Sequence, residues 1–213
     1  IDDNEDALEG SYLPAPTGNY PDISEIFSDL VDSDFEYGGE TKVYPSKPKT
    51  SWQKKLRTTP NGEILKKGSL LTEQEYSNHR RHTREKFQAM INHGGKIPEK
   101  YKTKKFAQRL IPKKWDKKGP TITITSLPDD FVHYSQARTP TVRECARVQT
   151  FPDWYRFVGK RTTGGIRRAG NPRKNIFDRE VPKYTQIGNA VAVELARKIG
   201  LHFKLIMDGK ISS

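Results

Sequence analysis

Cysteine is almost missing from this chain: Cys145 is the only one in 213 residues. A single thiol excludes an internal disulfide framework and a multi-cysteine zinc site, and makes a reducing compartment the easier setting. Long hydrophobic runs are lacking too. No stretch approaches the roughly 18 to 20 apolar residues of a membrane span, and the N-terminus shows neither the basic nor the apolar region of a signal peptide. A cytoplasmic protein without a membrane partner is expected. The chain begins with Ile1 instead of methionine, so a fragment or processed piece is also expected. Basic residues are absent from positions 1–40, which carry 12 acidic side chains; the remainder carries 38 basic against 14 acidic, and the whole chain is +12. A body that basic favours a polyanionic partner, because neutralising phosphates releases condensed counterions. Nucleic acid leads that class, with a merely solubilising basic surface as the bland reading. With 33% hydrophobic and 30% charged residues, one or two small domains with a modest core are expected.

Residues 1–20 are acidic, broken by proline and glycine, and read as linker. In PDISEIFSDLV, Ile23, Ile26, Phe27 and Leu30 follow helical spacing behind an Asp22/Glu25 capping pair. From Phe35 to Gly68 irregular structure with short strands is expected. Thr72 and Glu75 form a second candidate capping box, predicting a helix or broken helix pair that ends at Gly94 and Gly95. Ile122 and Ile124 alternate with threonines as a half-buried strand. Thr141 and Glu144 cap a helix through VRECARVQTF that Pro152 stops, with Cys145 and Val148 facing the core. A loop of basic residues and glycines follows, and Val191, Leu195, Ile199, Phe203 and Ile206 then stripe a long closing helix.

Two units, in this order, resemble the last two motifs of the DNA (cytosine-5)-methyltransferases. One is RTPTVRECARVQTFPDWYRFVG, Arg138 to Gly159; the other is QIGNAVAVELARKIG, Gln186 to Gly200. YLPAPTGNYPDISEIFSDL and GPTITITSLPDDFVHYSQAR are similar to the family's flanks around its target-recognition region. About residues 36–105 have no counterpart, as suits the part that varies with target sequence. The family's earlier motifs are missing: the phenylalanine-glycine loop for S-adenosylmethionine, the proline-cysteine loop bearing the nucleophile, and the glutamate-asparagine-valine segment. The resemblance therefore implies a C-terminal part of such an enzyme, of the kind found in restriction–modification systems, cut from a longer chain or made as a separate subunit.

The implied architecture is α+β. Residues 1–35 are an acidic linker and short helix, and residues 36–182 a small mixed target-recognition domain with its organising helix at 141–151. Residues 183–213 return to a doubly wound α/β methyltransferase domain largely absent from this chain. The resemblance implies S-adenosylmethionine as cofactor, its pocket completed by the N-terminal catalytic half in the same or a separate chain. Gly188, Asn189, Ala190 and Val191 would border it at the start of the closing helix, whose free N–H groups suit a carboxylate. Double-stranded DNA would meet Arg109, Lys113, Lys114, Arg161, Arg167, Arg168 and Arg173. Arg138, Arg143 and Glu144 would be structural, and no catalytic residue is expected in this chain. Cys145 reads as a small buried hydrophobe. His79, His82 and His133 lack a third ligand at sensible spacing, so no metal is expected. Alternatives are a free-standing, non-catalytic DNA-binding module, the small subunit of a split methyltransferase, or a basic RNA-binding protein. Singly scattered aromatics count against the last.

Overall fold

Local capping starts three of the helices. In α1 (Ile23–Phe27), the Asp22 N–H donates to Glu25 at 2.8 Å. In α2 (Ser51–Arg57), the Gln53 N–H donates to Thr50 Oγ1 at 3.1 Å. In α4 (Val142–Val148), the Glu144 N–H donates to Thr141 Oγ1 at 3.1 Å, and the Thr141 N–H to Glu144 Oε2 at 2.9 Å. Each bond satisfies an amide that the helix itself leaves unpaired. The computed structural model describes residues 21–102, 108–114, 130–162, 170–175, 177 and 180–210. The expected strand at Ile122 and Ile124 lies outside them.

Between these helices lie α3 (Arg81–Asn92), β1 (Arg109–Leu110) and β2 (Phe131–Val132); β1 and β2 pair in parallel with Arg109 opposite Phe131. After α4 come α5 (Lys183–Asn189) and α6 (Val193–Met207). Helices and a small sheet together make the α+β class expected. The chain divides into two compact units, Pro21–Ala190 and one holding the closing segment from Val191.

Two local expectations yield to tertiary pairing. Thr72 and Glu75 do not cap a helix: residues 69–76 run antiparallel to 39–44, with the Leu71 N–H on Lys42 O at 2.8 Å and the Tyr76 N–H on Gly39 O at 2.9 Å. Glu73 takes a left-handed backbone, φ 66°, which ends any helix there. The helix expected in this region begins only at Arg81. Conversely, α2 occupies a stretch expected to be irregular, because Leu56 packs beneath α1.

The first unit has several small apolar clusters instead of one large core. Ile23, Ile26 and Phe27 pack with Leu56, Ile111 and Phe131. Phe87 and Met90 pack with Val132 and Ala137. Val142, Cys145 and Ala146 pack with Phe157, Tyr184 and Ile187, which holds α5 against α4. Helix α4 stops where Thr150 turns left-handed, φ 57°, and the Phe151 N–H returns to Ala146 O at 2.9 Å. Prediction: Thr141→Ala removes the α4 cap and strips Gln74 Oε1 of its 2.8 Å hydroxyl donor, lowering stability by about 2 kcal/mol. Urea unfolding checks this, and an unchanged midpoint contradicts the capping role.

Candidate functional site

Four arginines are fully buried among the described residues: Arg57, Arg138, Arg143 and Arg147. A guanidinium leaves water at high cost unless each N–H finds an acceptor. Arg147 meets that condition completely. Its Nε and Nη2 clasp Asp153 at 2.9 and 2.5 Å, its Nη1 and Nη2 clasp Asp29 at 2.6 and 3.1 Å, and Nη1 also reaches Ile26 O at 2.5 Å. Asp29 accepts in turn from Arg57 Nε at 2.7 Å. Arg57 stacks over the Tyr44 ring at 3.7 Å, and the Tyr44 hydroxyl donates to Asp153 at 2.7 Å. A closed cycle thus joins the end of α1, α2, α4 and the Pro152–Asp153 turn.

Two further pairs flank that cycle. Arg138 grips Glu144 through two bonds of 2.8 and 2.6 Å while Gln136 receives its Nε. Burial opposes the Glu144 charge, but Arg138 outweighs it and holds the carboxyl at about 2. His133 is sealed beside this pair. Its Nδ1 accepts the Ser135 and Gln136 N–H groups at 3.2 and 3.1 Å, so the proton belongs on Nε2, 3.6 Å from Glu144. Burial first and Arg138 second press its pKa down to about 3. Arg143 pairs with Glu73 at 3.0 Å. Arg138, Arg143 and Glu144 thus come together in and around α4, enclosed by protein. Sequence inspection missed Arg57 and Arg147; the visible signal was Arg147 one helical turn after Arg143, ahead of an isolated Asp153.

The remaining described candidate cations sit on several segments of the chain. Arg109 is exposed on β1 with its guanidinium over the Phe131 ring at 4.7 Å. Lys113 and Lys114 are exposed just beyond β1, and the Lys113 carbonyl accepts the Ser24 N–H at 3.3 Å. Arg161 is half-buried on an open groove lined also by Gly38, Gly39, Lys42, Glu75 and Asn78, and bonds Ser77 Oγ at 3.2 Å. Arg173 is exposed in a 3₁₀ turn, Pro172–Lys174. Arg167 and Arg168 lie outside the described residues. The buried arginines are matched by Asp29, Glu73, Glu144 and Asp153, so the positive surplus is carried by the other residues.

Gly188 and Asn189 end α5 instead of opening the closing helix. Ala190 turns extended, ψ 148°, and α6 starts at Val193 behind Ala192. Glycine and asparagine are weak helix formers, common where helices end. The exposed Asn189 amide offers both donor and acceptor, and the α5 carbonyl end suits a positive group. That donor set fits the ammonium end of an amino-acid-bearing cofactor better than the carboxylate expected from a helix start. Cys145 is buried, its thiol pKa raised by burial and then by Glu144, which suits an inert hydrophobe.

The model of the C-5 cytosine-specific DNA methylases matches residues 14–204. The chain belongs to that family. It is 30% identical over 219 aligned positions to the Type II methyltransferase M.DdeI of Desulfomicrobium norvegicum, covering 91% of this chain and 46% of that protein. It is 37% identical to the DNA (cytosine-5)-methyltransferase CMT1 of Oryza sativa over 45% of the chain and 8% of the relative. The mouse DNA (cytosine-5)-methyltransferase 1 is 43% identical over 36% of the chain and 4% of its own length. This member of the family therefore spans less than half the length of these relatives.

Acid should loosen the scaffold. His79 is also held low, at about 4, by burial and then by Arg161, Arg84 and Arg138. Below the ordinary histidine value of about 6.5 the unfolded chain takes up protons that the folded chain refuses. Stability is therefore full above that pH and falls as pH drops toward 4 and 3, with Glu144 adding a further loss below about 4.5. Prediction: between pH 6 and 4, His133→Gln makes the fall in unfolding free energy shallower by about 1 kcal/mol per pH unit. An identical slope contradicts a neutral buried His133.

Proposed function

We propose that this chain is the C-terminal, DNA-recognising part of a DNA (cytosine-5)-methyltransferase, and that it works only with an N-terminal catalytic half in the same or a separate chain. The observation that carries the reading is α6. It is striped with apolar residues yet has no buried side chain; Leu195 is 49% and Phe203 44% exposed. A helix with so much uncovered apolar surface suits docking onto another body, here a doubly wound methyltransferase domain. Family membership and the short span relative to M.DdeI support the same division.

In this reading residues 36–182 recognise double-stranded DNA and residues 183–213 return to the catalytic domain. Methylation at carbon 5 needs the cytosine swung out of the stack, since the atom is unreachable inside a duplex. The chain's part is to hold the opened duplex. Arg109, Lys113, Lys114, Arg161, Arg167, Arg168 and Arg173 supply phosphate contacts that fix register. The α4 scaffold, with Arg138, Arg143 and Glu144, serves a structural role in the described part of residues 36–182. Gly188, Asn189, Ala190 and Val191 border S-adenosylmethionine, which when bound supplies the electrophilic methyl group. Among the described residues no helix is long and apolar enough to cross a membrane.

The test is complementation. This chain and its catalytic half should each fail to methylate duplex DNA, and their mixture should incorporate labelled methyl groups. A Cys145→Ala chain should complement as well as the original, since the attacking thiolate belongs to the other half. Methylation by this chain alone, or loss of complementation on replacing Cys145 in a folded chain, contradicts the assignment.

A further inference from the structure

Glu73 sits in a bend between the Val43–Leu70 and Glu40–Glu75 bridges. Its left-handed backbone, φ 66°, costs a non-glycine residue about 1 kcal/mol or more, and that cost persists only where surrounding contacts impose it. Its carbonyl accepts the Arg143 N–H at 3.0 Å. One carboxylate oxygen accepts Arg143 Nη2 at 3.0 Å. The other accepts the Phe157 N–H at 2.9 Å and Lys183 Nζ at 3.3 Å. Glu73 is thus tied to α4, to the 157–158 segment and to the first residue of α5.

These ties converge on α5. Lys183 opens it, with a side chain only 19% exposed where it meets Glu73. Gln186, one turn on, donates to Val158 O at 2.7 Å, directly after the Phe157 amide that Glu73 holds. Tyr184 anchors the same helix by donating to Pro140 O at 2.9 Å. The Glu73 carboxylate thus holds the start of α5 directly through Lys183 and holds the Phe157 amide next to the carbonyl that Gln186 grips, while the Tyr184 bond and the Lys183 N–H on Lys160 O at 2.9 Å attach α5 independently of it. Two residues beyond Glu73, Glu75 lines the groove that holds Arg161, whose Nε lies 3.6 Å from its carboxylate.

We propose that Glu73 is a positioning residue: by holding Lys183 and the Phe157 amide it sets the orientation of α5, and hence of Gly188 and Asn189, and links that edge to the segment lining the Arg161 groove. This rests on the reading that Gly188 and Asn189 border the cofactor. Glu73 touches no reacting atom; its effect passes through α5.

The experiment uses the complete methyltransferase, this chain together with its catalytic half. Equilibrium titration with S-adenosylmethionine and hydrogen exchange of the α5 amides are measured for Glu73→Gln, Lys183→Met and Asn189→Ala. Lys183→Met keeps the Glu73–Arg143 pair, so it serves where Glu73→Gln fails to fold. Glu73→Gln and Lys183→Met should each weaken cofactor binding about tenfold, the size of one lost charge-assisted hydrogen bond. They should raise the cofactor KM, leave kcat at saturating cofactor near the original value, and speed α5 exchange relative to α4. Asn189→Ala should weaken cofactor binding without speeding α5 exchange. If Asn189→Ala weakens binding while Lys183→Met changes neither exchange nor affinity, the positioning role is overturned and the cofactor edge stands. If Asn189→Ala has no effect on cofactor affinity, the cofactor edge itself is wrong and the proposal falls with it.

Discussion

Everything in the first unit hangs on one guanidinium that leaves no donor unused. Arg147 fills all its N–H positions with two carboxylates and a carbonyl, and the two aspartates then bind Arg57 and Tyr44. Asp29 and Arg147 are 118 positions apart in sequence. Joining them fixes the relation between α1 and α4, and the remaining pairs spread from α4 outward. Because α4 is buried from Val142 to Arg147, its charged residues have only protein to satisfy them. A lone buried charge is costly, whereas a closed and fully bonded set is tolerated and is selective about geometry.

That constraint explains the size of the apolar clusters. The space that a conventional core would occupy holds ion pairs, and aliphatic and aromatic groups fill the gaps around them. It also separates the two uses of arginine in the chain. Those in and near α4 are matched by acids and enclosed, while Arg109 and Arg173 are left facing solvent. On the proposed reading, an enclosed centre with cations left on the surface suits contact with a long polyanion. The acid sensitivity of His133 and Glu144 belongs to the centre and not to that surface.

Much of the organising helix was legible in the sequence. Thr141 and Glu144 marked its start, Pro152 followed its end, and the Arg138 and Gln186 motifs pointed to the family. The closing stripe was visible as well, though its helix begins later than expected, because Gly188 and Asn189 terminate α5. Other features were hidden for a physical reason. The Thr72 and Glu75 pattern is locally that of a helix start, but pairing with residues 39–44 and the pull of Arg143 on Glu73 impose a left-handed turn. Helix α2 carried a valid cap in Thr50 and Gln53 inside a stretch whose prolines and lysines suggested none. Partners such as Asp29 and Arg147 cannot be matched from spacing, since nothing local joins them.

The central claim is that the Asp29–Arg147–Asp153 cycle acts as a unit, and a double-mutant cycle on Asp29→Asn and Arg147→Met tests it most directly. Each single change should cost about 3 to 5 kcal/mol in chemical unfolding, since it leaves buried partners unmatched. The double variant, which removes one buried positive and one buried negative charge together, should lose little more than the worse single variant, a coupling of about 2 kcal/mol or more. Losses that add to within about 0.5 kcal/mol would mean that the two residues act independently, and would contradict the account.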